Sequence, residues 1–177
     1  MIFIWLSVIA VAVFADQLTK WLAVMFVKGA GSIEVIPWFI DFSYVENRGA
    51  AWGMFSEHRW VFLVITSIAL IAMPYFLFKY RKEHFLFGFS LSLVISGAIG
   101  NMIDRVFLGY VVDFLEAAFI SFPVFNFADC CVTVGAALLF VYFVFLDKTI
   151  LVFDEKDKKK DKSNDSTEPE VTVKEDE

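Results

Sequence analysis

Long apolar runs separated by shorter polar stretches dominate the chain. A helix needs about 20 mostly apolar residues to cross the hydrocarbon layer of a bilayer, and each run is close to that length. The runs cover about residues 1–27, 60–78, 85–103 and 128–146. This pattern predicts an all-α membrane protein with four transmembrane helices.

The first run also has some features of a secretory leader. Ala10-Val11-Ala12 has the composition of a small-residue cleavage motif. However, no positive charge precedes the apolar stretch, and the hydrophobic pattern resumes after Lys20. We therefore expect this segment to be retained as a transmembrane helix.

The two longer connections have a strand-like pattern. Residues 33–36, 39–45 and 109–115 are rich in β-branched and aromatic residues, many of them alternating with polar ones, which is typical of short strands. We expect them to form a small β-rich cradle beside the helices.

Lys and Arg in the short connections predict the orientation. Residues 79–84 form a short basic connection, which the positive-inside rule places in the cytoplasm. With four spans, both termini are then cytoplasmic and the strand-like connections lie outside.

The acidity of the chain is concentrated in its tail. Ten acids and six lysines between residues 154 and 177 account for −4 of the net charge of −6. This charged segment has no aromatic residue and is expected to be disordered, whereas residues 1–153 are expected to form one membrane domain. Since the body has no basic face, we expect no nucleic-acid partner.

The cysteines and histidines indicate neither a disulfide nor a metal site. Cys130 and Cys131 are adjacent, and the two histidines, His58 and His84, are far apart. Metal-ligand spacing is absent, and we expect the protein to need no cofactor.

Ionisable groups in transmembrane segments are costly and often functional. In the predicted topology the polar residues of the spans and of their connections gather near the outer face. The candidates are Asp16, Lys20, Asn101, Asp104, Arg105, Asp113, Asn126 and Asp129.

Structural roles explain several of these residues one at a time. Asp16 and Lys20 share a helix face and can form an ion pair. Arg105 can extend to water from a helix end, and Asn126 or Asp129 can cap the fourth helix. Their concentration at one face favours a functional site.

Paired carboxylates suggest one particular chemistry. Two aspartates that lie close together share a proton, so that the ionised one activates water and the protonated one polarises a carbonyl. Asp113 and Asp129 are candidates for such a pair, and on chemistry alone Asp104 and Asp16 are equally eligible.

Five segments in order resemble those of the lipoprotein signal peptidase family, also called signal peptidase II, over about residues 1–147. They are Asp16-Gln17-Leu18-Thr19-Lys20, Asn47-Arg48-Gly49-Ala50-Ala51-Trp52-Gly53, Gly97-Ala98-Ile99-Gly100-Asn101-Met102-Ile103-Asp104-Arg105, Val111-Val112-Asp113-Phe114 and Phe125-Asn126-Phe127-Ala128-Asp129. Ser96 departs mildly from the family, which often has glycine there, and the charged tail lies outside the family's common core.

The resemblance implies an aspartic endopeptidase of the bacterial cytoplasmic membrane. It would remove signal peptides from prolipoproteins by cleaving before the diacylglyceryl cysteine, near the outer face. The expected partners are these substrates and membrane lipids, and we expect a monomer. The implied catalytic pair is Asp113 and Asp129.

The resemblance also implies roles for the remaining site residues. The residues expected to line and orient the site are Asn101, Arg105 and Asn126. The segment with Asn47 and Gly49 is expected to contact substrate, while Asp16 and Lys20 give structural support. Asp104 belongs to the motif but is not assigned as a catalytic acid.

Three other functions compete with this interpretation. A transporter or proton relay would also place Asp and Lys in the membrane, but the cytoplasmic half is mostly without such groups. A Ser–Lys peptidase could use Lys20 as base, although no serine has a recognisable nucleophile context. A non-enzymatic scaffold would not need the clustered carboxylates.

Overall fold

In a computed structural model of the chain, the described residues are 1–49, 59–80, 82 and 84–146. Parts of three predictions lie outside these residues: residues 50–53 of the second motif, Arg81 and Glu83 of the basic connection, and the tail 154–177 with its predicted disorder. The chain divides into two contact units, Met1–Leu139 and Phe140–Glu177.

The first unit contains three complete helices and most of a fourth. These are α1 (Ile2–Phe26), α2 (Arg59–Lys79), α3 (Phe85–Phe107) and α4 (Phe127–Val141). In the second unit, the described residues complete α4 and add a π-helical segment, Tyr142–Leu146. The four helical spans are long and apolar enough to cross a membrane, so the predicted four-span architecture is confirmed for the described residues.

Helix α3 continues four residues past the apolar run that predicted it. Its end is set by Gly109, which has the left-handed φ of +84° that favours glycine. The backbone N–H groups of Leu108 and Gly109 donate to the Asp104 carbonyl. Polar residues in this last part of α3 therefore remain on a regular helix, and α3 positions Asn101, Asp104 and Arg105 together.

Helix α3 is also the most buried of the four helices, and it contacts both α1 and α2. Glycines allow its close approach to α4. A Cβ at Gly97 would overlap the Ala128 carbonyl, and a Cβ at Gly135 would approach the Ser90 carbonyl to 2.7 Å. Small residues at such contacts let helix backbones pack tightly in membranes.

Three antiparallel strands form a sheet beside the helices, in the order β1-β2-β3. The strands are β1 (Ile33–Ile36), β2 (Ile40–Asn47) and β3 (Val111–Ala117). Their presence confirms the strand-like interpretation of both connections. Val45 pairs with Asp113 and Asn47 with Val111, so the end of β2 lies beside the start of β3.

Phe114 and Phe125 attach the sheet to α1 and to the start of α4. Phe114 packs with Ala23 and Val27 at the end of α1. Phe125 exchanges backbone hydrogen bonds with Leu115, at 2.8 and 3.0 Å. Because α4 begins two residues after Phe125, this bridge holds the start of α4 against β3.

Candidate active site

Asp113 is a buried carboxylate on β3, with only 1% of its surface exposed. The Asn126 side-chain amide donates to its Oδ1 at 2.6 Å, and the Asn47 amide donates to its Oδ2 at 2.8 Å. Burial, as the main cause, and the negative charge of Asp129 together raise the pKa of Asp113 from 3.8 to about 6, although the two amide hydrogen bonds act to lower it. Asp113 therefore retains a proton at a pH where an ordinary aspartate has lost it.

Asp129 lies in the first turn of α4 and forms a capping box with Asn126. The Asn126 side-chain oxygen accepts from the Asp129 backbone N–H at 3.0 Å, and Asp129 Oδ2 accepts from the Asn126 N–H at 3.1 Å. Reciprocal bonds of this kind satisfy the free N–H groups at a helix start. The capping role considered from the sequence is thus present, and the same side chains also contact Asp113 and Asn101.

Asn101 connects α3 to this pair of segments. Its Nδ2 donates to Asp129 Oδ1 at 2.8 Å, while its Oδ1 accepts from Asn126 Nδ2 at 3.1 Å. Both oxygens of Asp129 therefore accept hydrogen bonds from N–H donors.

A second group of buried charges lies behind Asn101. Lys20 Nζ contacts Asp16 Oδ2 at 2.9 Å, Asp104 Oδ2 at 3.1 Å and Asn101 Oδ1 at 3.0 Å. The ion pair predicted between Asp16 and Lys20 is therefore present, and the structure adds Asp104 to it. Such groups are tolerated away from water only when they are paired and hydrogen-bonded.

Gln17 is a member of this charged group whose part the sequence analysis missed. Its Nε2 lies 3.1 Å from both Asp16 Oδ2 and Asp104 Oδ1 and 3.3 Å from the Gly100 carbonyl. A polar amide beside Asp16 in an otherwise apolar helix was the available signal.

Asn47 and Gly49 form the β2 side of the site. The Gly49 backbone N–H donates to Asn47 Oδ1 at 3.0 Å, which leaves the Asn47 Nδ2 directed at Asp113. The asparagine therefore has a fixed orientation, with its carbonyl turned into its own loop and its amide turned towards the carboxylate.

Arg105 adds a positive charge on the α3 side. Its guanidinium donates to the backbone carbonyl of Asn101 at 3.3 Å and lies 5.2 Å from the centre of the Phe62 ring. These two contacts hold the Arg105 side chain next to the carboxylates.

Asp113 and Asp129 open into the same cavity of about 580 Å³, a size within the range of small-molecule sites. The cavity has polar groups at the carboxylates and mostly apolar walls from α2, α4 and the segment before α4. Its lining residues are Asn47, Gly49, Phe62, Arg105, Asp113, Phe122, Pro123, Val124, Phe125, Asp129, Cys130, Thr133 and Val134.

The structure thus brings the predicted site residues into two connected groups. Asn47, Gly49, Arg105, Asp113 and Asp129 line the cavity, and Asn101 and Asn126 link them. Asp16, Lys20 and Asp104 lie outside the cavity lining, in the charged group behind it. The lining residues from α2 and from α4 after Asp129 could not be identified from the sequence, because only the packing of the helices places them there.

Comparisons with known proteins identify relatives that match most of the chain. The family model described as signal peptidase (SPase) II matches residues 8–145. A lipoprotein signal peptidase of Symbiobacterium thermophilum is 43% identical over 150 residues, which are 84% of this chain and 97% of that protein. A lipoprotein signal peptidase of Clostridium acetobutylicum is 44% identical over 155 residues, covering 86% and 97%.

A solved structure described as a bacterial membrane enzyme has the same fold. It superposes with a TM-score of 0.75 at 34% identity, covering 98% of this chain and 96% of the other. The four spans and these likenesses define the class: a bacterial membrane peptidase of the aspartic type. Within that class, the chain belongs to the signal peptidase II family.

Proposed function

We propose that this protein cleaves prolipoproteins immediately before their diacylglyceryl-modified cysteine, with Asp113 and Asp129 as the catalytic pair. The observation that carries the proposal is the joining of the two carboxylates through Asn126 at one cavity, with the pKa of Asp113 raised to about 6. Two carboxylates at one cavity, one of which retains its proton, are suited to acid–base hydrolysis.

The raised pKa of Asp113 supports its role as the starting acid, which leaves Asp129 as the starting base. Asp129 takes a proton from the attacking water. Asp113, which keeps its proton, donates it to the scissile carbonyl oxygen as the water oxygen bonds to the carbon. The resulting gem-diol then returns a proton to Asp113, Asp129 protonates the leaving amine, and the C–N bond breaks.

The remaining residues are proposed to bind and orient the substrate. Asn47 and Arg105 face the cavity beside the carboxylates and offer donors to the substrate backbone. Gly49, whose N–H already donates to Asn47, borders the cavity with its backbone. The apolar walls suit the acyl chains and apolar signal sequence of a lipid-anchored substrate, which approaches sideways from the bilayer. The three strands serve as a cradle over the site.

The proposed topology places both termini in the cytoplasm and the active site near the outer face. It rests on the basic connection at residues 79–84 and on the position of the sheet at the opposite helix ends. We propose that residues 1–153 act as one peptidase domain among membrane lipids. We also propose a monomer, because one chain supplies every site group described above.

Cleavage of a diacylated prolipoprotein peptide by purified protein in detergent tests the function. Asp113→Asn and Asp129→Asn are each expected to lower kcat by at least about 10³-fold while the protein remains folded. Glu116→Gln is the matched control, because it removes a carboxylate three residues along β3, on the opposite face of the strand.

Two results would contradict the proposal. Near-normal turnover by either aspartate variant would exclude the assigned pair. Equal cleavage of the same peptide without its diacylglyceryl group would exclude the proposed substrate class, even if both aspartates proved essential.

A further inference from the structure

Lys20 is the buried cation at the centre of the group behind the active site, with 3% of its surface exposed. A simple ion pair needs one carboxylate, yet this ammonium contacts two carboxylates and an amide oxygen. Two of these three acceptors, Asp104 and Asn101, belong to α3, and the third, Asp16, shares α1 with the lysine. Each acceptor in turn contacts a segment that carries one of the two site aspartates.

The two carboxylates hold the backbone directly before each site aspartate. Asp16 Oδ1 accepts from the backbone N–H of Ala128 at 2.9 Å, one residue before Asp129. Asp104 Oδ2 accepts from the backbone N–H of Val112 at 3.0 Å, one residue before Asp113. Lys20 therefore joins two equivalent attachments, one to the start of α4 and one to β3.

The third contact orients the Asn101 amide. A lysine ammonium can only donate hydrogen bonds, so Asn101 must turn its Oδ1 towards Lys20. Its Nδ2 is then the group left to face Asp129 Oδ1. If the amide were reversed, its oxygen would face the carboxylate and the hydrogen bond would be replaced by repulsion.

We propose that Lys20 is a positioning residue for the hydrolytic reaction, which sets the relative placement of Asp113 and Asp129 and the orientation of Asn101. The inference rests on the catalytic pair proposed above and extends it to a residue outside the cavity lining. Misplacing reacting groups by about 1 Å, through a change far from the chemistry, can cost about 100-fold in rate.

The main test is Lys20→Met in the full chain, assayed on the diacylated peptide in detergent. We expect kcat to fall by up to about 100-fold with KM little changed, because the substrate-facing groups remain. We also expect the pH profile of kcat/KM to shift, since the hydrogen bonds to the carboxylates change. Lys28→Met is the matched control: Lys28 follows α1, is exposed and pairs with Glu46, and its removal should change none of these quantities.

A double-mutant cycle with Asn101→Ala separates positioning from stability. If Lys20 acts partly through the amide, Lys20→Met should cost markedly less kcat in the Asn101→Ala background than in the wild type. If Lys20 affects only folding, Lys20→Met should lower kcat by the same factor in both backgrounds and leave the pH profile unchanged. That result would overturn the proposal.

Lys20→Gln covers the possibility that the methionine variant does not fold. Glutamine keeps an N–H donor for Asn101 but lacks the charge, so kcat should lie between those of the wild type and Lys20→Met. A folded Lys20→Met or Lys20→Gln enzyme with wild-type kcat and pH profile would refute the inference. If neither variant can be recovered folded, Lys20 is assigned to stability and the inference is wrong.

The aspartate variants distinguish this failure from failure of the proposed function. Loss of turnover in Asp113→Asn and Asp129→Asn, combined with normal turnover in Lys20→Met, would reject only the role of Lys20. Normal turnover in either aspartate variant would reject the catalytic pair itself.

Discussion

Apolar side chains are ordinarily buried and polar ones exposed. A group of interior polar residues and the β1–β2 hairpin depart from this rule in opposite directions. We use "polar cluster" for Asp16, Gln17, Lys20, Asn101, Asp104, Asp113, Asn126 and Asp129. This cluster places charges in the interior, whereas the hairpin exposes large apolar side chains. Trp38, in the hairpin turn, is 87% exposed and has a left-handed φ of +69°.

The two regions differ in how far their contacts depend on segments that are distant in sequence. Most contacts of the polar cluster join residues that are distant in sequence, on α1, α3, β3 and the start of α4. The hairpin turn has a local bond from the Phe39 N–H to the Ile36 carbonyl, and its distant contacts are few: the Ala118 N–H donates to the Phe39 carbonyl, and Phe39 stacks on Phe119. Substitutions should therefore be severe in the polar cluster and mild at the hairpin.

The largest effect is expected for Gly100→Ala, which tests how tightly the polar cluster is packed. Its Cβ would overlap the Asp16 carboxylate and lie 3.3 Å from the Ala128 Cβ. Alanine gains about 1 kcal/mol of helix propensity, but its Cβ displaces the Asp16 carboxylate and so weakens a buried ion pair whose complete loss costs about 3–5 kcal/mol. The free energy of unfolding in detergent should therefore fall clearly.

Gly31→Ala is the control from the hairpin side of the molecule. Gly31 has a φ of +78° and no atom within 4 Å of its added Cβ. Only the left-handed strain of about 1–2 kcal/mol applies there. Equal destabilisation by the two variants would contradict the comparison.

An intermediate effect is expected from pH, through Asp113. Because the protonated Asp113 is the proposed acid and its pKa is about 6, kcat/KM should fall towards about tenfold per pH unit above pH 6. A profile that is flat between pH 6 and 8 would contradict this assignment of the acid.

The free energy of unfolding should also depend on the protonation of Asp113, and it should also fall as the pH rises. The folded-state pKa lies above the ordinary value of 3.8, so the stabilisation by protonation is complete below pH 3.8 and is lost as the pH rises through about 6. The melting temperature of Asp113→Asn should lack this part of the pH dependence. Identical slopes in the variant and the wild type would show that other groups control it.

The smallest effect is expected for Trp38→Asn at the hairpin turn. Asparagine adopts positive φ more readily than tryptophan, and exposed substitutions usually change stability by no more than about 0.5 kcal/mol. Both kcat and the melting temperature in detergent should stay close to the wild type. A large loss of kcat would mean that the hairpin turn contributes to turnover.

Local patterns were sufficient for much of the fold. The four apolar runs correspond to the four helices, and the β-branched and aromatic segments correspond to the strands. The end of α3 was placed too early, because the sequence analysis followed hydrophobicity while the helix continues through polar residues to Gly109. A hydrophobic run indicates which residues lie in the lipid, whereas the end of a helix depends on the backbone conformation.

The candidate site could be predicted as a group of residue types but not as a set of contacts. Four aspartates were eligible for a pair on chemistry alone, and the family resemblance was needed to favour Asp113 and Asp129. In the structure, Asp16 and Asp104 are instead paired with Lys20 and bonded to backbone N–H groups. That distinction depends on contacts between residues up to 112 positions apart.

The sequence by itself determined the four membrane-crossing segments, the strands and the presence of polar residues that are too costly to bury without partners. Only the tertiary structure decided which partners they have, because a hydrogen bond of about 3 Å requires two distant segments to meet in one geometry. The bridge between Phe125 and Leu115 and the contacts of Lys20 bring those segments together. Polar crowding at one end of the helices thereby becomes an ordered pair of carboxylates.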